Sequence, residues 1–329
     1  MKALVLAAGL GTRLLPLTAR KSKVTLPLAG SPVLVRVIRT FRSLGVEQFA
    51  VNIHHAADTV RACLADADER VVFSFEKEIL GTGGALFGVK DFLHRSGTFL
   101  LVNGDCYYSG FNLDEALEFH RRRNALATMV LVDMPAGRDY SAVEIDTDGR
   151  VFRIAGRPER PPSPGLKALH FTGIHILEPE ILKEISPGFS DINRDIYPPL
   201  VVGDAGVYGF HTSFRSLDLG TPDRLLEAAF SLLEEEYNRK GPSSILIGES
   251  CCIHHSALLE APLEIGCGVK IGPGCRLRRS IVGNRVTLEE NVSIHDSLAG
   301  DNVFLEAGEK ISHSIIASLD GERILKKWR

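Results

Sequence analysis

From Ile247 onward an aliphatic residue recurs at every sixth position: Ile247, Ile253, Leu259, Ile265, Ile271 and Leu277. Val282, Leu288 and Ile294 resume the interval after a slip of one residue, and Leu305 and Ile311 continue it after another. Gly248, Gly266 and Gly272 directly follow three of these positions. An aliphatic period of six with glycine beside it is the pattern of a hexapeptide β-helix, whose triangular coil turns one aliphatic inward on each side. A chance run in a β-rich region would not hold the interval through so many positions. The repeat occupies roughly 75 residues, or about four coils of about 18 residues, and the expected coil is a short left-handed β-helix. Cys251, Cys252, Cys267 and Cys275 lie inside it. Their spacing lacks the paired ligands of a zinc site, so packing is the expected role.

Before the repeat the pattern is different. Ala3–Ala7, Phe49–Ile53, Val71–Phe75, Phe99–Asn103 and Thr128–Val132 are short apolar runs of strand type. Between them Pro32–Leu44, Ala57–Ala65, Gly83–Leu93 and Leu113–Asn124 carry helical spacing, and Pro222–Lys240 reads as one further helix. Strands alternating with helices predict right-handed crossovers and a Rossmann-like, mainly parallel α/β sheet. Gly241-Pro-Ser-Ser244 breaks the last helix. The expected domains are therefore 1–240, α/β, and 241–329, β-helix. Ligands of such sheets bind at the carboxyl ends of the strands. Both the segment Gly9–Arg13 and Asp105 follow a strand directly.

The first of these segments reads Leu4-Val-Leu-Ala-Ala-Gly-Leu-Gly-Thr-Arg13, with Lys21-Ser-Lys23 behind it. Glycines let backbone N–H groups approach a phosphate chain, and fixed cations neutralise it. The loop is not a dinucleotide fingerprint, because Leu14 stands where the third glycine belongs and no acid follows at the ribose position. Nothing in the chain matches a P-loop. A nucleoside triphosphate is the ligand this opening suits.

Gly9-Leu-Gly-Thr-Arg13 followed by Lys23 resembles the signature of the sugar-1-phosphate nucleotidyltransferases. Further landmarks of that family recur in order: Leu80-Gly-Thr-Gly-Gly-Ala85, Val102-Asn-Gly-Asp105, Phe171-Thr-Gly-Ile-His175 and Leu217-Asp-Leu-Gly-Thr-Pro222. The resemblance covers nearly the whole chain and is strongest toward mannose-1-phosphate guanylyltransferase-like enzymes.

It implies attack by a sugar-1-phosphate oxygen on the α-phosphorus of a nucleoside triphosphate, GTP being favoured, with pyrophosphate leaving. Arg13 and Lys23 are then the cations at the triphosphate and the reacting phosphates. Asp105, which ends an apolar strand, is the first metal candidate and Asp218 the second, and the resemblance has the two share one Mg²⁺. Ala8, Gly9, Gly11, Thr12, Glu78, Gly81, Thr82 and Gly83 would surround the nucleotide. Asn103, Arg157, Thr172 and Gly173 would meet the sugar phosphate. Lys21 is read as a bystander, and His54 and His55 as ordinary loop histidines.

Several positions depart from the family. Ser22 and Val24 replace the prolines that usually flank the signature lysine, which predicts a softer loop. Gly156-Arg157-Pro158 stands where Glu-Lys-Pro is common, Tyr140-Ser141 replaces Tyr-Gly, and Ser216 replaces a tryptophan. Uridylyl, thymidylyl or adenylyl transfer, a non-catalytic homologue, or acyl transfer by the β-helix through His254, His255, His295 or His313 stay open at this stage.

Composition narrows the partners. Lys and Arg number 38, Asp and Glu 41, for a net charge of −3, which gives no electrostatic case for nucleic acid or membrane binding. No C-x-x-C pair occurs among the six cysteines, which are expected to be reduced. No apolar run approaches the ~20 residues of a membrane span, and the N-terminus lacks a signal-peptide pattern. A cytoplasmic homo-oligomer, associating through the β-helix, is the expectation.

Overall fold

Lys2–Leu6 is an apolar run whose three central residues are almost wholly buried. It pairs in parallel with Gln48–Ile53 on one side and Phe99–Asn103 on the other. Both faces of such a strand are covered, which is why the run is continuous rather than alternating. These relations are drawn from a computed structural model describing residues 1–66, 70–94, 97–136, 140–161, 163–238 and 244–328, with only the backbone of 236–238. The chain divides into two compact units, one formed by Met1–Gly9 with Leu34–Leu217 and the other by Leu10–Val33 with Asp218–Arg329. This division follows packing, not the change of sequence period. Of the expected break Gly241-Pro-Ser-Ser244, residues 241–243 lie outside the described residues.

The first unit is built on a nine-stranded sheet. Val72–Phe75 extends its parallel part beyond Gln48–Ile53. The chain thus lays two strands, Gln48–Ile53 and Val72–Phe75, to one side of its starting strand and returns with Phe99–Asn103 on the other side of Lys2–Leu6. That reversal is a switch point, where parallel sheets open a crevice at their carboxyl ends. The sheet is mixed, its parallel core extended by antiparallel pairs. Lys167–Leu177 runs antiparallel to Phe99–Asn103, Ala127–Val132 and Ala142–Ile145. Its register shifts between Phe171 and His175, and Thr172 and Gly173 sit within this strand at the shift.

Helix limits move by small steps from their expected positions, with one larger difference. Gly83–Leu93 is two helices, Gly81–Gly88 and Lys90–Leu93, parted at Val89, whose φ of −120° leaves the helical region. Helix Leu113–Arg122 begins under the side chain of Asn112, which accepts a hydrogen bond from the Glu115 N–H. Val33–Ser43, Ala57–Asp66 and Pro222–Asn238 are the other predicted helices.

In the second unit the hexapeptide pattern becomes stacked parallel coils. Ile253 lies beside Ile271 and Leu259 beside Leu277, an offset of 18 residues. Ile265 then lies beside Val282, Leu277 beside Ile294 and Leu288 beside Leu305, an offset of 17. The slips in the sequence are therefore the change from 18- to 17-residue coils. Ala299 is the stacked member that the aliphatic pattern skips, paired between Val282 and Ile316. A second buried column was hidden from the six-residue period: Val269, Cys275, Val286, Val292 and Val303, each two residues before a member of the first. Cys275 packs there as a small apolar residue, and burial pushes its thiol up. Ser280, Ser297 and Ser314 form a buried ladder whose N–H groups donate to the preceding Oγ at 3.2 Å. The last strand, Glu322–Lys327, turns back antiparallel on Ser314–Leu319 and ends the stack.

Leu277 is 1% exposed and Leu258 52%. Leu277→Ala should cost about 2–5 kcal/mol in chemical denaturation and Leu258→Ala under about 0.5. Equal effects would refute the inward assignment. A second expectation concerns His175, fully buried, its Nδ1 2.8 Å from the Tyr197 hydroxyl, with burial pushing its pKa down to about 3. Above pH 6.5 it is neutral in both folded and unfolded chains. Between pH 6.5 and about 3 only the unfolded chain takes up the proton, so stability falls by up to about 1.4 kcal/mol per unit as pH drops. Urea midpoints against pH should show this slope, and His175→Gln should remove its share.

Candidate active site

In the first unit the carboxyl ends of adjacent strands are tied by a chain of polar groups. Asn52 Oδ1 accepts the Ala7 N–H at 2.7 Å, and Asn52 Nδ2 donates to Glu76 Oε1 at 2.7 Å. Glu76 Oε2 accepts the Leu80 N–H at 3.0 Å. Asn52 and Glu76 are each 3% exposed. A buried carboxylate is tolerated because its oxygens meet donors. This chain fixes the start of Ala7-Ala8-Gly9 and the start of helix Gly81–Gly88. Neither Asn52 nor Glu76 was singled out from sequence; the signal was one asparagine in the apolar run Phe49-Ala-Val-Asn-Ile53. Glu78, which was singled out, is exposed. His54 Nδ1 lies 2.9 Å from the Glu76 carbonyl, an ordinary loop contact.

Gly104 is required by the same sheet. Its N–H donates to the Leu6 carbonyl at 2.9 Å, and a Cβ there would lie 2.6 Å from that oxygen. Asp105 follows, half-buried, and leads straight into strand Cys106–Ser109. It is therefore not the cap of the next helix, a task Asn112 performs. Asn103 and Gly173 are brought together: a Cβ on Gly173, whose φ is +86°, would lie 2.5 Å from Asn103 Nδ2. The Thr172 hydroxyl is buried and donates to the Val130 carbonyl at 2.8 Å. Arg157 is exposed in a tight turn, its N–H donating to the Ile154 carbonyl at 2.9 Å.

The glycines at 81 and 83 have a packing reason. A Cβ at either would collide with Ser190. The Gly83 N–H donates to the Ser190 carbonyl at 2.8 Å, and the Thr82 hydroxyl accepts the Ile192 N–H at 2.7 Å. Gly9 is the opposite case. A Cβ there would meet no protein atom within 4 Å, so packing does not dictate its absence.

In the second unit Gly11 holds φ +64° and leads into the turn Thr12–Leu14. A Cβ at Gly11 would press on Lys23 Cβ at 3.0 Å and Thr18 Cγ2 at 3.0 Å. Lys23 is 7% exposed, and its Nζ lies 3.9 Å from Asp218 Oδ1. Asp218 Oδ1 accepts the Gly220 N–H at 2.7 Å, while Oδ2 pairs with Arg224. The guanidinium of Arg13, itself exposed, lies against Gly220: a Cβ there would sit 2.5 Å from an Arg13 terminal nitrogen and 2.8 Å from Asp218 Oδ1. Arg13, Lys23 and Asp218 are thus gathered, with Arg224 as a cation that sequence reading passed over. Arg224 sits in the first turn of helix Pro222–Asn238.

The loop around Lys23 is not left soft by its missing prolines. Ser22 and Val24 are buried, and Ser22's carbonyl accepts both the Thr25 N–H at 3.0 Å and the Thr25 hydroxyl at 2.8 Å. Among the described residues no group of three or more His, Cys, Asp or Glu side chains is placed to hold a metal ion. Among the described residues no helix is long and apolar enough to cross a membrane.

Comparison with known proteins gives this arrangement a context. A family model described as nucleotidyl transferase matches residues 2–235. A mannose-1-phosphate guanylyltransferase of Mycobacterium tuberculosis is 29% identical over 296 residues, spanning 87% of this chain and 81% of that protein. A UTP–glucose-1-phosphate uridylyltransferase of Synechocystis is 28% identical over 325 residues, spanning 88% and 83%. The crystal structure of HddC from Yersinia pseudotuberculosis superposes with a TM-score of 0.60 at 23% identity, covering 70% of this chain and 99% of that one, a likeness of fold alone. With a family model matched over well more than half its length, the chain belongs to the nucleotidyl transferase family.

Proposed function

We propose that the protein transfers a nucleotidyl group from a nucleoside triphosphate to a sugar 1-phosphate, as a mannose-1-phosphate guanylyltransferase does, with GTP the favoured donor. The observation that carries the reading is the gathering of Arg13, Lys23 and Asp218 beside the φ-positive Gly11. Two cations on a glycine turn suit a polyphosphate, and the open flank of Gly9 suits close backbone approach. The Mycobacterium relative supports the guanylyl assignment. The Synechocystis relative makes uridylyl transfer to glucose 1-phosphate the alternative.

In the reaction a sugar-phosphate oxygen bonds to the α-phosphorus while the bond from that phosphorus to the bridging oxygen breaks, and pyrophosphate leaves. No covalent enzyme intermediate is needed, so the chain's contribution is positioning and charge. Lys23, buried and held near Asp218, meets the reacting phosphates. Arg13 is exposed and free to follow the departing pyrophosphate, whose added charge it balances. Asn103 and Gly173 form the sugar side together with Thr172 and Arg157. Ala8, Gly9, Gly11, Thr12, Gly81, Thr82 and Gly83 surround the nucleotide, with Glu78 at its edge.

Asp105 and Asp218 would hold Mg²⁺. Both are half-buried carboxylates, the hard oxygen donors that this ion takes, and substrate phosphates and water would complete its shell. When bound it would neutralise phosphate charge at the α-phosphorus. The reading also takes 1–240 as the catalytic domain and 241–329 as a short left-handed β-helix that joins copies of a cytoplasmic enzyme.

A pyrophosphate-release assay with Mg²⁺, four triphosphates and a panel of sugar 1-phosphates tests this directly. The highest turnover is expected with GTP and mannose 1-phosphate. No turnover with any pair would contradict the reaction. Asp105→Ala and Lys23→Ala should each lower kcat by about 100-fold or more. Near-normal rates in the folded variants would remove those residues from the chemistry.

A further inference from the structure

The segment that carries Arg13 and Lys23 does not stand alone in its unit. It is fastened to the β-helix at four places. A Cβ at Gly300 would come within 2.9 Å of Leu17 Cδ2, so that leucine lies against the backbone of a coil. Arg20 pairs with Asp320, and Lys21 with Asp301. Asp301 also accepts the Asn284 N–H at 3.0 Å, part of the coil-to-coil ladder. The fourth contact is the least exposed. Glu264, 3% exposed, accepts the Ala29 N–H at 3.0 Å and the Gly30 N–H at 2.8 Å.

Ala29 and Gly30 both hold positive φ, at 49° and 77°, which turns successive N–H groups toward one acceptor. They join the two short strands Pro27–Leu28 and Ser31–Pro32. Gly30 is also seated under Leu246, whose Cδ2 would lie 2.7 Å from a Cβ there. The Val33 N–H donates to the Leu26 carbonyl at 3.1 Å, and the Leu26 N–H to the Lys23 carbonyl at 3.2 Å. Hydrogen bonds therefore run from the glutamate on the coil through the hairpin to the backbone of the buried lysine. Exposed ion pairs such as Arg20–Asp320 add little. A buried carboxylate that accepts two N–H groups adds more, because removing it takes a charged acceptor from both.

We infer that Glu264 is a positioning residue of the transferase, and that the β-helix sets the placement of Lys23 through it. This rests on the reading of Lys23 given under the proposed function. It also accounts for the absent prolines at 22 and 24: a tertiary clamp replaces local stiffening. Carboxylate and turn together make one anion-and-nest pair inside the chain, so the coil is part of the catalytic scaffold, whatever else its surface contacts. Lys21, which plays no part in the chemistry, becomes a second point of the same attachment.

The test uses the full chain with Glu264→Gln, Glu264→Ala and, as a control, Glu260→Gln on the exposed part of the same strand. Hydrogen exchange of peptides covering 20–33 is read beside pyrophosphate-release kinetics and the thermal transition. In Glu264→Ala, exchange at Ala29 and Gly30 should rise at least about tenfold. Its kcat should fall about 10- to 100-fold while the transition of the coil stays in place. Glu264→Gln keeps the volume and one acceptor oxygen and should fall between that variant and wild type. It alone decides the matter should the alanine variant fail to fold. Glu260→Gln should match wild type in every readout. Unchanged exchange at 20–33, or faster exchange with unchanged kcat, would overturn the inference. Absence of turnover in the wild type would instead contradict the proposed reaction, and the exchange readout would still decide whether the clamp holds the loop.

Discussion

One backbone hydrogen bond, from the Gly104 N–H to the Leu6 carbonyl, sets the geometry of the sheet's crevice. It carries the pairing of Lys2–Leu6 with Phe99–Asn103 one residue past the last register pair, Leu6 with Asn103. Only glycine allows it, since a Cβ would press on the accepting oxygen. The loop to Gly9 and the loop to Asp105 therefore leave adjacent strands at the same level. The Asn52–Glu76 pair performs a similar task for the neighbouring strands. Together they convert a sheet edge into a defined rim without any side chain that could itself react.

The fold was largely legible because its two parts obey different periods. Apolar runs bounded by helical spacing fixed the parallel strands, and the six-residue aliphatic interval fixed the coils. What stayed hidden has physical reasons. The antiparallel strand Lys167–Leu177 carries a register shift between Phe171 and His175, so its faces do not alternate cleanly and its apolar pattern does not mark it. The second inward column of the coil is Val and Cys, too small to announce itself against the Ile and Leu of the first. Ala299 broke the visible pattern for the same reason, although it stacks in register between Val282 and Ile316. The helix after Leu80 splits because Val89 leaves helical geometry, which spacing alone does not reveal.

The candidate site proposed above was legible where a motif depends on main-chain shape. Gly11, Arg13 and Lys23 could be read because a φ-positive glycine and two cations have few other joint uses. The partners of those groups were not legible, because nothing marks them locally. Arg224 is one more arginine at the start of a helix, and Glu264 one more acid in a strand. Each acquires its role only when residues far apart in the chain pack together. Glu76 was passed over beside Glu78 because two glutamates stand two residues apart after one strand. Only burial distinguishes them: Glu76 faces Asn52 and the Leu80 N–H, whereas Glu78 faces solvent. The glycines at 81 and 83 carry a similar lesson, since their contact with Ser190 explains them without any ligand.

The central claim is that the α-phosphorus of a nucleoside triphosphate is passed to a sugar phosphate and not to water. Incubating the protein with Mg²⁺, mannose 1-phosphate and GTP labelled at its α-phosphorus tests that claim most directly. The account predicts that the label appears in a nucleotide-sugar in step with unlabelled pyrophosphate. Label found only in GTP, GDP or GMP would contradict it.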